Sequence, residues 1–157
     1  MKEKTCCFTG HRKIPDYEYN ALKLKLKDIL INLIERGVIY FGAGGALGFD
    51  TLAAETVLEL KKKYPIIKLI LVLPCENQTY NWSIKDIKIY NDIKSRCDKY
   101  VYVSKNYTRD CMFKRNRHLV YNSSICVCYK TKNSGGTACT VRYAEEKNLE
   151  IINVAFQ

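Results

Sequence analysis

Apolar residues along this chain recur in two alternating rhythms. Short, nearly continuous runs are followed by longer stretches in which apolar side chains return every three or four positions. The runs at 5–9, 38–41, 66–73, 100–103, 125–129 and 151–154 predict strands. The stretches at 17–36, from about Asp50 onward, at 79–96, at 110–121 and at 138–147 predict helices. In the first helix Leu22, Leu26, Ile29, Leu30 and Leu33 share one face, and Gly37 suits a left-handed helix end. The uninterrupted Ile/Leu/Val run before Pro74 predicts an interior strand covered on both faces. Tyr80 and Trp82 read as core residues of the third helix rather than as stacking surfaces. Strict alternation of strand and helix predicts an α/β fold: a three-layer, Rossmann-like, open and mostly parallel sheet with helices on both faces. No linker, repeat or low-complexity stretch interrupts it, so 1–157 is expected to form a single domain.

Composition narrows this only slightly. With 47% hydrophobic and 27% charged residues the chain is of globular type. The net charge of +10 comes largely from lysines such as Lys23, Lys25, Lys27 and Lys61 to Lys63. On amphipathic helices these form a solvated face, although a basic surface also attracts nucleic acid without reading its sequence. No nucleic-acid-binding motif accompanies the charge, and no clear aromatic platform for bases is visible. No apolar run approaches the ~20 residues of a membrane helix, and the start is too polar for a signal peptide. A cytoplasmic protein with no membrane partner is the expectation. The chain has eight cysteines but no Cys-x-x-Cys and two histidines, which argues against a metal site. Cys6, Cys7, Cys75, Cys126 and Cys128 fall in or at the end of strand runs, where reduced thiols act as small hydrophobes.

Open parallel sheets bind ligands beyond the carboxyl ends of their strands. Four strand ends carry the candidate chemistry: Thr9-Gly10-His11-Arg12, the loop from Gly42 to Gly48, Pro74-Cys75-Glu76, and Gly135-Gly136-Thr137. Gly42, Gly44, Gly45 and Gly48 lie between a strand and a helix, where backbone N–H groups can approach an anion. The loop lacks the Gly-Lys-Ser/Thr of a Walker loop, and a tight turn with close helix packing is its structural alternative. Gly135, Gly136 and Thr137 open a second helix in the same sense. Asp50 either caps its helix or accepts from ribose hydroxyls. Arg12 offers bidentate contact to phosphate, and His11 is a donor or proton carrier if it faces the ligand. Arg115, next to Asn116, reaches inward or is solvated. Glu76 is the strongest candidate for acid–base chemistry or ribose binding.

Several of these segments, in order, resemble the SLOG superfamily and within it the YpsA-like branch. They are Cys7-Phe8-Thr9-Gly10-His11-Arg12, Gly44-Gly45-Ala46-Leu47-Gly48-Phe49-Asp50-Thr51-Leu52-Ala53-Ala54, Pro74 with Gln78 and Trp82, Arg115-Asn116, and Gly135-Gly136-Thr137 with Ala144. The resemblance spans nearly the whole chain. It implies a Rossmann-like fold that binds nucleotides or NAD-derived molecules, with relatives among the LOG phosphoribohydrolases and the single-strand-binding protein DprA. The LOG segment Pro-Gly-Gly-x-Gly-Thr-x-x-Glu is only partly kept. Ser134 precedes Gly135-Gly136, Cys139 stands where a glycine or threonine would, and no glutamate comes before Glu145.

The expected function is binding, by sensing or sequestration, of a nucleotide or an NAD- or ADP-ribose-derived, phosphate-bearing small molecule at the strand ends. The alternatives are an N-glycosidic hydrolase or deoxyribosyltransferase with Glu76 or Asp50 as its carboxylate, and DprA-like single-strand binding. Enzymatic activity is left open, leaning against. No cofactor or metal is expected, and a homo-oligomer is a reasonable partner state.

Overall fold

The computed structural model describes residues 1–156. Six strands form one sheet in which every pairing is parallel. In chain order the strands are β1 (Thr5–Gly10), β2 (Tyr40–Ala43), β3 (Lys68–Leu73), β4 (Lys99–Tyr102), β5 (Ile125–Tyr129) and β6 (Glu150–Asn153). Between them lie α1 (Asp16–Glu35), α2 (Phe49–Lys61), α3 (Ile84–Arg96), α4 (Cys111–Tyr121) and α5 (Gly136–Glu146). The spatial order is β4-β3-β2-β1-β5-β6. The chain therefore steps outward from β1 to β4, then returns through α4 to place β5 on the other side of β1. Helix α1 packs on α2 and α2 on α3, whereas α4 packs on α5. The two sets cover opposite faces, giving three layers.

The period of two along a strand divides the core. From β1, Cys6 and Phe8 join the larger cluster beneath α1, α2 and α3, while Cys7 joins the smaller one beneath α4 and α5. From β5, Ile125, Val127 and Tyr129 go one way, and Cys126 and Cys128 the other. Helix α1 contributes Leu22, Leu26, Leu30 and Leu33, all fully buried and spaced along one stripe. At its end Gly37 takes φ +102°, as a left-handed helix end requires.

Most expected elements stand, with shifted ends. Strand β1 runs on through Gly10, and Val38 lies before β2. Helix α3 begins at Ile84, not Thr79, because the Ser83 hydroxyl accepts from the Asp86 N–H at 3.1 Å and caps it there. Residues 79–83 are turns and bends instead. This corrects the reading of Tyr80 and Trp82 as core: Tyr80 is 84% exposed and Trp82 is half-buried. Strand β3 lies inside the sheet, between β2 and β4.

The five strand-associated cysteines are buried, as is Cys111, and all eight are free thiols. Burial pushes the Cys6 thiol well above its ordinary value, and burial raises Cys128 to about 11, so these are inert packing groups. Among the described residues no helix is long and apolar enough to cross a membrane, and no group of His, Cys, Asp and Glu could hold a metal ion.

Candidate functional site

The reversal of strand order between β1 and β5 opens a crevice at the carboxyl edge, where the two chain segments diverge to opposite faces. A cleft of about 300 Å³ lies there. Its floor is the end of β1, from Thr9 through Gly10 and His11 to Arg12. One wall is the start of α5 with the loop before it: Lys132, Ser134, Gly135, Gly136 and Thr137. The other is built by Met112, Arg115 and Asn116 of α4 and by Ala46 and Asp50 at the start of α2.

The two glycine-rich helix starts differ. At α5 no side chain caps the helix, and Gly135 sits at φ +94°, ψ −175°, a conformation essentially confined to glycine. A Cβ added at Gly135 or Gly136 would meet nothing within 4 Å. This end therefore presents free N–H groups and its partial positive charge to open space. At α2 the glycines are filled in. A Cβ on Gly44 would lie 2.6 Å from the Arg115 guanidinium, on Gly45 2.4 Å from Leu73, and on Gly48 2.2 Å from the Arg12 carbonyl oxygen. The Phe49 N–H already donates to the His11 carbonyl at 3.1 Å. Gly10 likewise admits Phe49, whose ring a Cβ would meet at 2.5 Å. Among these four glycines, Gly10 and Gly48 let α2 close onto the tip of β1, Gly44 admits Arg115 of α4, and Gly45 admits Leu73 at the end of β3. Only Gly10 of them lines the cleft.

Arg115 reaches inward. Its Nη1 donates to the Gly44 carbonyl, its Nε to Asn116 Oδ1 at 2.6 Å, and its Nη2 approaches Met112 Sδ at 3.7 Å. Asp50 is buried nearby, and its Oδ2 accepts from the Ala46 N–H at 3.2 Å. It ties the loop back on itself and does not cap the helix, whose N-cap is Gly48. Burial raises the Asp50 carboxyl, against the opposing pull of Arg115, the Ala46 N–H and Arg12. Burial lowers the Arg115 guanidinium, and Asp50 opposes that in turn. Each charge thus offsets part of the other's desolvation. His11 Nε2 accepts from the Thr131 N–H at 2.9 Å, so the ring is neutral with its proton on Nδ1. Burial, with Lys132 beside it, lowers the His11 imidazole.

Of the residues singled out from sequence, Thr9, Gly10, His11, Arg12, Asp50, Arg115, Asn116, Gly135, Gly136 and Thr137 converge on this cleft. Gly44, Gly45 and Gly48 lie behind it as packing positions. Three others are elsewhere. Gly42 faces Leu119 across the sheet, Pro74 is buried outside the cleft, and Glu76 is exposed, its charge felt by Lys94 on α3. Lys132 and Ser134 join the site without having been singled out. The basic run 130–132 beside Gly135 was the available signal. Ala46 and Met112 carry no chemistry a sequence would flag.

Fold and cleft together define an open, Rossmann-like α/β protein with a polar crevice, lined by Arg12, Arg115 and Lys132, at its topological switch point. The YspA SLOG family (YpsA) model matches residues 7–157, and the chain belongs to that family. A UPF0398 protein of Brevibacillus brevis is 31% identical over 132 residues, covering 80% of this chain and 69% of its own. The SPbeta prophage-derived protein YoqJ of Bacillus subtilis is 30% identical over 147 residues, covering 83% and 86%. Among solved structures, DNA processing protein A from Helicobacter pylori superposes with a TM-score of 0.69 at 18% identity over 96% of this chain. DprA from Streptococcus pneumoniae does so with a TM-score of 0.69 at 15% identity over 96%. The chain spans 64% and 50% of those two proteins' lengths, and at such identities the likeness is one of fold.

Proposed function

We propose that this protein binds a phosphate-bearing, nucleotide-derived small molecule in the β1/β5 cleft, as a sensor or sequestering protein. The observation that carries this is the uncapped start of α5, facing open space across from Arg12 and beside Lys132. An unscreened helix N-terminus with two lysine or arginine side chains is a ready anion site. At α2 the Phe49 N–H is already taken by the His11 carbonyl and the buried Asp50 carboxylate lies beside the helix end, which favours α5 as the phosphate-facing start. Membership of a SLOG family supports the same reading. The test is a thermal-shift series with nucleoside mono-, di- and triphosphates, NAD and ADP-ribose. A ligand at a hundred times its Kd adds about 2.7 kcal/mol. Absence of stabilisation by every compound refutes the reading.

One observation favours a second reading, N-glycosidic chemistry. Asp50 is a cleft carboxylate whose burial raises it toward the acid form. Chromatography of the same mixtures separates the two, since free base appears only if the bond is cleaved.

A further inference from the structure

Beside the anion cleft lies a second one of about 390 Å³, and the two share Arg12 and Met112 as a common wall. Its chemistry is different. Tyr80, Trp82 and Tyr107 line it, and the tyrosines are 84% and 61% exposed. Single exposed aromatic side chains are ordinary, but three gathered around one cleft form the kind of patch that marks a ligand groove. Trp82 is held edge-on by Tyr90, with ring centroids 5.5 Å apart, so its orientation is fixed.

The polar groups here are mostly amides. Asn77 Oδ1 accepts from the Tyr107 N–H at 3.0 Å, fastening the Tyr107 loop over the cleft. Asn81 lies along the same rim. Gln78, only 9% exposed, donates through Nε2 to the Gly45 carbonyl at 3.2 Å, and its Oε1 has no partner among the described residues. Gln78 thus joins this cleft to the glycine loop behind the first.

Aromatic faces with neutral amides between them suit a flat heterocycle with donors and acceptors on its edge. An anion would find no free helix end here, and Arg12 stands at the border with the phosphate site. We infer that this second cleft is the nucleobase subsite, and that the occupant is a single nucleotide unit with its phosphate in the first cleft and its base between Tyr80, Trp82 and Tyr107. The phosphate placement rests on the function proposed above, whereas the base subsite does not.

Trp82 is the only tryptophan in the chain, so its fluorescence reports on this cleft alone. The experiment titrates the full chain with AMP, GMP, CMP and UMP, with adenosine, and with ribose 5-phosphate, exciting at the red edge of tryptophan absorption. Affinities come from equilibrium dialysis. At least one nucleotide should quench Trp82 and bind tenfold or more tighter than ribose 5-phosphate. Tyr80→Ala and Tyr107→Ala, both at exposed side chains, should remove that advantage while leaving ribose 5-phosphate affinity unchanged. Adenosine that quenches while ribose 5-phosphate fails to bind would retain the base subsite and remove the phosphate site. Ribose 5-phosphate that binds as tightly as every nucleotide would do the reverse. No quenching by any base-bearing compound overturns the inference. So does an oligothymidylate that binds far more tightly than UMP with steep salt dependence, because the occupant is then a strand and not a single nucleotide.

Discussion

Replacing Gly136 by alanine separates a glycine kept for a ligand from one kept for the fold. Gly136 is the first residue of α5, its φ lies outside the left-handed region, and an added methyl meets nothing within 4 Å. A Gly→Ala change at such a position stabilises by about 0.4–1 kcal/mol, chiefly by restricting the unfolded chain. For a chain of this size that raises Tm by roughly 1–4 °C. The same methyl projects into the space an anion would need to reach the helix N–H groups. Losing one charge-assisted hydrogen bond costs about 1.5–3 kcal/mol, so affinity falls more than tenfold. Gly135→Ala is the internal contrast. Space is equally free, but φ +94° and ψ −175° demand glycine, and the strain costs about 1–3 kcal/mol. Gly48→Ala combines φ +79° with a 2.2 Å clash against backbone, and should be the most damaging of the three. Calorimetry of each variant, with and without the stabilising nucleotide, checks the set. A Gly136→Ala protein that keeps the full ligand-induced rise in Tm would refute the assignment of the α5 start as the anion site. One that melts below the wild type would refute the open space described around it.

Other outcomes follow from the same geometry. Arg115→Met removes the donors to Gly44 and Asn116 and leaves Asp50 buried without its compensating charge; urea unfolding should show a loss of about 3 kcal/mol. His11 gives a pH dependence. Because its folded value is lowered from 6.5, the folded state binds fewer protons, so its contribution is complete above 6.5 and is lost as pH falls through the folded value. The protection factor of the Thr131 amide, the exchange rate corrected for its intrinsic pH dependence, should fall over that window, and His11→Gln should abolish the change. Glu76→Gln, at an exposed residue outside both clefts, should leave nucleotide affinity within twofold of the wild type by equilibrium dialysis; a larger loss would place the ligand across β3.

Much of the fold is visible in the chain because each strand was a compact apolar run and each helix a periodic one. Where the helical rhythm was carried too far, at 79–83, the Ser83-x-x-Asp86 cap was the local signal that outweighed it. That short turn made the difference between core aromatics and a lined cleft. The positions of Thr9 to Arg12 and of Gly135 to Thr137 at one edge followed from strand direction alone. What could not be read was which glycines face open space and which face a side chain. Gly44 is occupied by an arginine 71 residues away in sequence, a contact that exists only once α4 has crossed the sheet. Glu76 failed to reach the cleft for a similar reason. Its strand end is two strands removed from the crevice, beyond β2.

The return of the chain from β4 to β5 also has a consequence for assembly. The cleft joins residues 9–12 to residues 132–137, which meet only when the fifth strand has been laid beside the first. During synthesis the first four strands can associate by successive local crossovers, but they form no crevice. Closing the loop between β1 and β5 carries the largest loop entropy of the five strand pairings, and it is also the step that creates the cleft. A ligand spanning both segments would therefore bind only the closed chain, and by mass action would hold the two halves of the fold together.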